Sequence, residues 1–208
     1  MTNYDYKIKN IIRPIIRNIK NIKILELGVE RGRSTKLFLK VCNRNKGKLV
    51  SVDVNDCSKI SKSSNWEFIQ SRDDNFKLIK KKIKQKLDLI YLDTLHEADH
   101  VEKIFYGYYD KIKIGGYFII DDISHLPYLK NQKRSNFYCE INNLETLNRV
   151  IEIYNNNINS FDLSISFISS GLAIIKKKSN SKLKEKQKIL TRQYSLKNRI
   201  RNFKKFFV

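Results

Sequence analysis

A doubly wound α/β fold, with a mostly parallel seven-stranded sheet ending in an antiparallel β-hairpin, is the architecture this chain predicts. Three observations carry it. Apolar runs alternate with helical patterns from residue 23 to residue 156, as they do where helices cover a parallel sheet. The last two apolar runs, SFDLSISFI and GLAIIKKK, are joined by Ser169-Ser170-Gly171 alone, a connection short enough to require an antiparallel pair. Finally, the 208 residues are 41% hydrophobic and 11% aromatic, enough to bury one substantial core.

The elements follow in order. Residues 8, 11, 12, 15, 16 and 19 are all Ile, the spacing of an amphipathic helix, and Pro14 is expected to start or kink its second half. KILELG (23–28) reads as a strand, STKLFLKVC (34–42) as a helix, KLVSVDV (48–54) and WEFIQ (66–70) as strands. A Lys-rich helix near 74–85 leads to the strand LDLIYLD (87–93), and a helix over 97–112 leads to GGYFIIDD (115–122). A further helix over 138–156 precedes the hairpin. The division expected is an N-terminal helix (1–20), one catalytic domain (21–177) and a basic tail (178–208), helical in part.

Charge and cysteine content narrow the function classes. The net charge is +21, but residues 176–208 hold thirteen Lys or Arg against one Glu, leaving only +9 for the first 175 residues. That distribution makes nucleic acid an unfavoured partner, because the basic character is not spread over the domain. Three cysteines, Cys42, Cys57 and Cys139, have no CxxC spacing and read as reduced packing residues. No apolar run is long enough to span a bilayer, and the start MTNYDYKIKN lacks a signal-peptide core, so a cytoplasmic location is expected.

In an open α/β sheet the ligand lies outside the carboxyl ends of the strands. Behind the first strand stands ELGVERGRST: Glu26 at the strand end, Gly28 and Gly32 where the backbone must turn and approach a ligand, and Ser34 to cap the next helix. This E-x-G-x-x-x-G lacks the middle glycine of a nicotinamide site. Asp53 ends the second strand, where a carboxylate can accept from both hydroxyls of a ribose. Together these favour a nucleoside-bearing cofactor over strand-ending turns without a ligand. Arg72 and Asp73, in SRDD behind the third strand, are candidates for the adenine side, or else a helix cap.

YLDTLHEADH (91–100) gathers two of the three histidines with two Asp residues. Alone it reads equally as a metal site, an acid/base pair or a solvated helix start. Asp121 and Asp122 end the fifth strand, 28 residues beyond Asp93, and adjacent parallel strands would bring the three carboxylates together. Oxygen-only ligands suit Mg²⁺ or Mn²⁺ rather than zinc.

ILELGVERGRST, SVDV, DLIYLDTLHEADHV and IGGYFIIDD, taken together, resemble the class I S-adenosylmethionine-dependent methyltransferases over about residues 20–177. Within them the resemblance is to the metal-dependent branch that includes the cephalosporin hydroxylase-like and macrocin O-methyltransferase-like proteins. It implies a Rossmann-like fold that binds S-adenosylmethionine through Glu26, Gly28, Gly32, Ser34, Asp53, Arg72 and Asp73. It also implies a divalent ion on Asp93, Asp121 and Asp122, and His96 as the base that takes a proton from an acceptor hydroxyl. Two positions depart from the pattern: Asp121 stands where Glu is usual, and the base lysine of catechol-type enzymes has no counterpart. His125, in the segment 122–136 expected to cover the pocket, is a rival base, and His100, one turn beyond His96, reads as structural.

The acceptor implied is a hydroxyl on a sugar or a glycosylated small molecule. The alternatives are an RNA methyltransferase using the tail as a phosphate clamp, and a cofactor-binding module without turnover. In the tail, Leu196, Ile200, Phe203 and Phe207 form one apolar stripe among Lys197, Arg199, Arg201, Lys204 and Lys205, with Phe206 beside it. Such a helix docks on its own domain, joins a second subunit as a homo-oligomer, stays solvated, or lies peripherally on an anionic membrane surface.

Overall fold

The computed structural model describes residues 3–125, 137–191 and 195–205. Its single sheet contains β1 (Lys23–Leu27), β2 (Lys48–Asp53), β3 (Trp66–Gln70), β4 (Leu87–Leu92), β5 (Ile112–Asp121), β6 (Phe161–Ser166) and β7 (Leu172–Lys177). The strand order is β3-β2-β1-β4-β5-β7-β6. β1 to β5 are parallel, and β7 runs antiparallel to both β5 and β6. The predicted mostly parallel sheet with an antiparallel ending is therefore the fold observed. Strand order reverses between β1 and β4, where chains leave the sheet in opposite directions and open a crevice at the carboxyl ends.

Alternation along each strand divides the core in two. Leu25, Leu27, Ile90, Leu92, Phe118 and Ile120 face one side and pack with α4 (Phe76–Lys82), α5 (Ala98–Tyr108) and α6 (Phe137–Asn155). Ile24, Leu89, Tyr91 and Ile119 face the other and pack with α3 (Arg33–Asn45) and the N-terminal helical segment. All six residues of β4 are buried, as a central strand covered on both faces requires.

The N-terminal segment is not one regular helix. α1 (Asn3–Lys7) passes through a π turn (Ile8–Ile12) into α2 (Arg13–Ile16). Arg13 donates its N–H to the carbonyl of Ile8, five residues back. The wide turn stands immediately before Pro14, whose missing N–H would interrupt a regular α ladder. Ile8, Ile12 and Ile16 are fully buried, so the kinked segment is still locked to the sheet.

The helix after β1 begins two residues earlier than a cap at Ser34 would predict. Its N-cap is Gly32 at φ +69°, with no side-chain cap, and Ser34 is buried within the first turn. The glycine takes a left-handed conformation that a serine would adopt only at a cost.

The tail is bound along its first part. Lys184 N–H donates to Asn157 Oδ1 at 2.8 Å, Gln187 N–H to the Glu152 carbonyl at 2.9 Å, and Lys186 pairs with Glu102 at 2.7 Å. These bonds strap residues 184–187 across α5 and α6. α7 (Leu196–Lys204) follows and buries none of its residues. Phe206 and Phe207 lie outside the described residues, as does the segment after His125 that was expected over the pocket. Cys42 and Cys57 are free and buried, while the side chain of Cys139 falls outside the described set.

Candidate active site

The register of the central strands places the site. Leu27 pairs with Leu92 and Leu92 with Ile120, so the residues that follow β1, β4 and β5 emerge side by side. Gly28 is therefore pressed against Asp93: at φ +97°, a Cβ on it would lie 1.9 Å from the Asp93 carbonyl oxygen. Only glycine fits there. Gly28 N–H donates to Val52 O at 2.9 Å and Asp93 N–H to Leu27 O at 2.8 Å, which extends the sheet one residue past its strands.

A cavity of about 440 Å³ opens at this point. The loop after β1 contributes Gly28, Val29 and Glu30, and the start of α3 contributes Arg33; Asp93, His96, Asp122, Tyr4 and Ser170 complete the lining. His96 Nε2 lies 3.7 Å from Asp93 Oδ1 and 3.3 Å from Asp122 Oδ2. Ligand atoms of Asp93, His96 and Asp122 all fall within 4.8 Å of one another. Asp122 holds φ +57°, a left-handed conformation that aspartate tolerates better than most residues.

Among the described residues, ligand atoms of Asp93, His96 and Asp122 converge, while Asp121, the third member of the expected trio Asp93, Asp121 and Asp122, points to Lys7 and Tyr91. The difference has a clear cause. Asp121 is buried and its oxygens are taken: Oδ1 accepts from the Lys7 ammonium and from Asp122 N–H, and Oδ2 from the Tyr91 hydroxyl. Lys7 also donates to Ser170 Oγ at 2.7 Å. Tyr4 donates to Asp93 Oδ2 at 3.2 Å, and Tyr91 reaches the same oxygen at 3.3 Å. Burial, followed by the charges of Asp121 and Asp122, holds the Asp93 carboxyl well above the ordinary carboxylate range. Burial raises Asp121 too, against the opposing pull of Lys7.

Two oxygen ligands and an imidazole on a half-exposed rim are a donor set that fits a small divalent ion. Asp93 and Asp122 offer the hard oxygens such an ion prefers, and their mutual repulsion would be relieved by it.

On the nucleotide side the expected residues divide into two groups. Asp53 stands at the surface end of β2, where Oδ2 accepts from the N–H of Val29 at 2.9 Å and of Glu30 at 3.1 Å, and Oδ1 from Asn55 N–H. It thus ties the end of β2 to the glycine loop. Glu26 is wholly buried beneath that loop and accepts from Thr35 Oγ1 at 2.8 Å and Ser51 Oγ at 2.6 Å. Burial pushes its carboxyl up to about 7, despite hydrogen bonds from Ser34, Ser51 and Thr35. Gly32 is packed against Ile60, whose Cγ2 would lie 2.5 Å from an added Cβ.

Arg72 is exposed and paired with Asp74 at 3.0 Å. Asp73 is buried and accepts from Thr94 Oγ1 at 2.6 Å, with His100 Nε2 at 2.8 Å from the same oxygen. These contacts brace the loop after β3 against the loop after β4 and the start of α5. His125 does not line the cavity; its ring stands edge-on to Phe167 at 6.1 Å.

Sequence reasoning missed Lys7, Tyr4, Tyr91 and Ser170. One signal was available for the first two: Tyr4 and Lys7 continue the Ile8, Ile11, Ile12, Ile15 face at helical spacing, and a lysine on an apolar face needs a buried partner.

The sheet order, the glycine loop at its switch point and the acid ending β2 define the class I methyltransferase fold. Residues 25–123 match the family described as "Methyltransferase domain". Several solved structures share its fold. MycE, a methyltransferase from the mycinamycin biosynthetic pathway solved with Mg and SAH, superposes with a TM-score of 0.60 at 18% identity, covering 81% of this chain and 49% of MycE. This chain therefore spans about half the length of MycE. A putative caffeoyl-CoA O-methyltransferase from Staphylococcus aureus gives 0.63 at 17% identity, covering 85% and 84% of the two chains. The SAH-bound Podospora anserina methyltransferase PaMTH1 gives 0.60 at 16% identity, with 76% and 72% covered. No curated protein matches the chain.

Proposed function

We propose that this chain is an S-adenosylmethionine-dependent O-methyltransferase acting, with a divalent ion, on a hydroxyl of a sugar or glycosylated small molecule. One observation carries the reading: Asp93, His96 and Asp122 share a single cavity with the glycine loop after β1. A methyl donor held by that loop would present its sulfonium to the acid-lined wall. One MycE structure holds Mg, SAH and mycinamycin VI together, which supports a small-molecule acceptor.

Gly28 and Gly32 let the loop backbone approach the donor, and Asp53 offers its remaining lone pairs to the ribose hydroxyls. Glu26, Ser34 and Asp73 act beneath the surface, holding the loops that form the donor site, and Arg72 flanks the adenine side. Asp93 and Asp122 would hold Mg²⁺ or Mn²⁺, which supplies positive charge that eases loss of the acceptor proton. His96, whose Nε2 lies 3.3 Å from Asp122 Oδ2 and faces the same cavity, accepts that proton. The acceptor oxygen then forms its bond to the methyl carbon as the carbon–sulfur electrons return to sulfur. Most of the rate gain comes from holding oxygen, carbon and sulfur in line.

Three acids, Glu30, Asp93 and Asp122, line the cavity against one arginine, Arg33, which disfavours a phosphate-rich acceptor, so the RNA reading draws no support from the site. The tail suits another partner. Leu196 and Ile200 of α7 are 74% and 49% exposed, flanked by Lys197, Arg199, Arg201 and Lys204. An anionic leaflet would attract each basic residue by on the order of 1 kcal/mol, giving peripheral attachment suited to a lipid-linked sugar. Among the described residues, no helix is long and apolar enough to cross a membrane.

The test is calorimetry with S-adenosylhomocysteine, followed by methyl transfer from labelled donor to a panel of glycosides with and without EDTA. Binding of S-adenosylhomocysteine, and transfer to a hydroxyl that EDTA abolishes, are expected. Full transfer in excess EDTA would remove the ion from the reading.

A further inference from the structure

The N-terminal helical segment inserts a lysine into the carboxylate cluster. Lys7 is 0% exposed, and its ammonium bonds Asp121 Oδ1 and, at 2.7 Å, Ser170 Oγ. Asp122 Oδ1 lies 4.0 Å away and the Tyr4 ring centroid 5.0 Å away. We propose that Lys7 is a resident cation that holds Asp121 out of the divalent-ion site and so sets how tightly that site binds its ion. The inference rests on the ion-binding reading given above.

Three features support it. First, both Asp121 oxygens are already engaged, Oδ1 by Lys7 and Asp122 N–H and Oδ2 by Tyr91, so an ion would have to compete for them. Second, the lysine is delivered by a packed element. Ile8, Ile12 and Ile16 are fully buried immediately beyond it, which denies the ammonium a solvated alternative position. Third, the charge arithmetic of the cluster changes: three aspartates meet one fixed positive charge before any ion arrives. A fixed ammonium repels an incoming divalent cation, and in a partly desolvated site that repulsion is larger than in water. Lys7 is a positioning residue in this scheme, acting on the ion site through Asp121 and through its own field.

The chain should then bind its ion less tightly than three acids would without the lysine. Replacing Lys7 with an apolar residue of similar length removes the repulsion and frees Asp121 together. Changing an outer-shell partner of a metal site shifts its affinity by roughly ten- to a hundredfold. In Lys7→Met, Mn²⁺ affinity measured from the free-ion EPR signal is expected to rise by about that factor. Lys7→Met/Asp121→Asn removes both buried charges, keeps the cluster balanced for folding, and is expected to bind Mn²⁺ within a fewfold of the native chain.

Equal or weaker binding by Lys7→Met would overturn the proposal. So would a double variant that loses binding, because Asp121 would then be a ligand in the native chain. If native protein binds no Mn²⁺ while Lys7→Met does, the Lys7 inference stands and the ion drops out of the proposed reaction. If no variant binds Mn²⁺, the inference fails. Binding of S-adenosylhomocysteine, followed in the same samples, reports separately on the donor site.

Discussion

The hydroxyl of Tyr4 donates to Asp93 Oδ2 at 3.2 Å, joining the first turn of the chain to the end of its fourth strand. With Lys7 it makes the N-terminal segment one wall of the cavity. Tyr4 also keeps its proton firmly, since burial and the neighbouring charge of Asp93 raise its phenol far above the ordinary value. Tyr4→Phe keeps the ring and loses the donor. A hydrogen bond contributes about 0.5–1.5 kcal/mol net, so chemical denaturation should show a loss of about 1 kcal/mol. Unchanged stability would mean that water serves Asp93 equally well.

Gly28→Ala tests the closest approach in the site. A Cβ would stand 1.9 Å from the Asp93 carbonyl oxygen, and the backbone angle is itself unfavourable for alanine. The expected outcome is loss of S-adenosylhomocysteine binding with destabilisation of roughly 4 kcal/mol or more. Gly115→Ala is the control: it shares a positive φ, +79°, but meets nothing within 4 Å, so it should cost about 1 kcal/mol.

Asp53 carries two duties, which can be separated. Its carboxylate holds the Val29 and Glu30 amides, and on the proposed reading it also accepts from the ribose. Asp53→Ala should weaken S-adenosylhomocysteine binding by about tenfold or more, the value of losing a charged acceptor. Calorimetry showing native affinity would remove the ribose role and leave only the loop tether.

Glu26 predicts a pH dependence of stability. Its carboxyl is raised from 4.5 to about 7 in the fold. Between those values the unfolded chain ionises Glu26 while the folded chain still holds the proton, so stability falls as pH rises and levels off above the folded value. Glu26→Gln removes this contribution. Melting temperatures of the two chains should diverge from pH 5 to pH 8 in favour of the glutamine variant; parallel curves would show that Glu26 does not titrate in that window.

The tail reading is tested on liposomes. Residues 184–187 are tied to α5 and α6, so the informative truncation ends at Thr191 and leaves those ties intact. The full chain should co-sediment with anionic vesicles, less so at high salt, and the truncated chain should remain in the supernatant. Equal recovery of both would rule out membrane contact through α7.

What the sequence determined by itself was the local and the periodic. Alternating apolar runs require strands, the short Ser169-Ser170-Gly171 link requires an antiparallel pair, and the positive-φ turn at Gly28 could be read directly, because each depends on residues close together in the chain. The order of strand ends then followed from the rules for parallel sheets, which is why Asp93, Asp121 and Asp122 could be placed near one another. Only the tertiary structure decided which way those carboxylates face. Asp121 turns to Lys7, 114 residues away, and to Tyr91, while Asp122 turns to His96 and the cavity. That choice depends on a kinked N-terminal segment packing on a particular face of the sheet. Hydrophobic periodicity announces such a segment, but it does not say which carboxylate its one buried ammonium will meet.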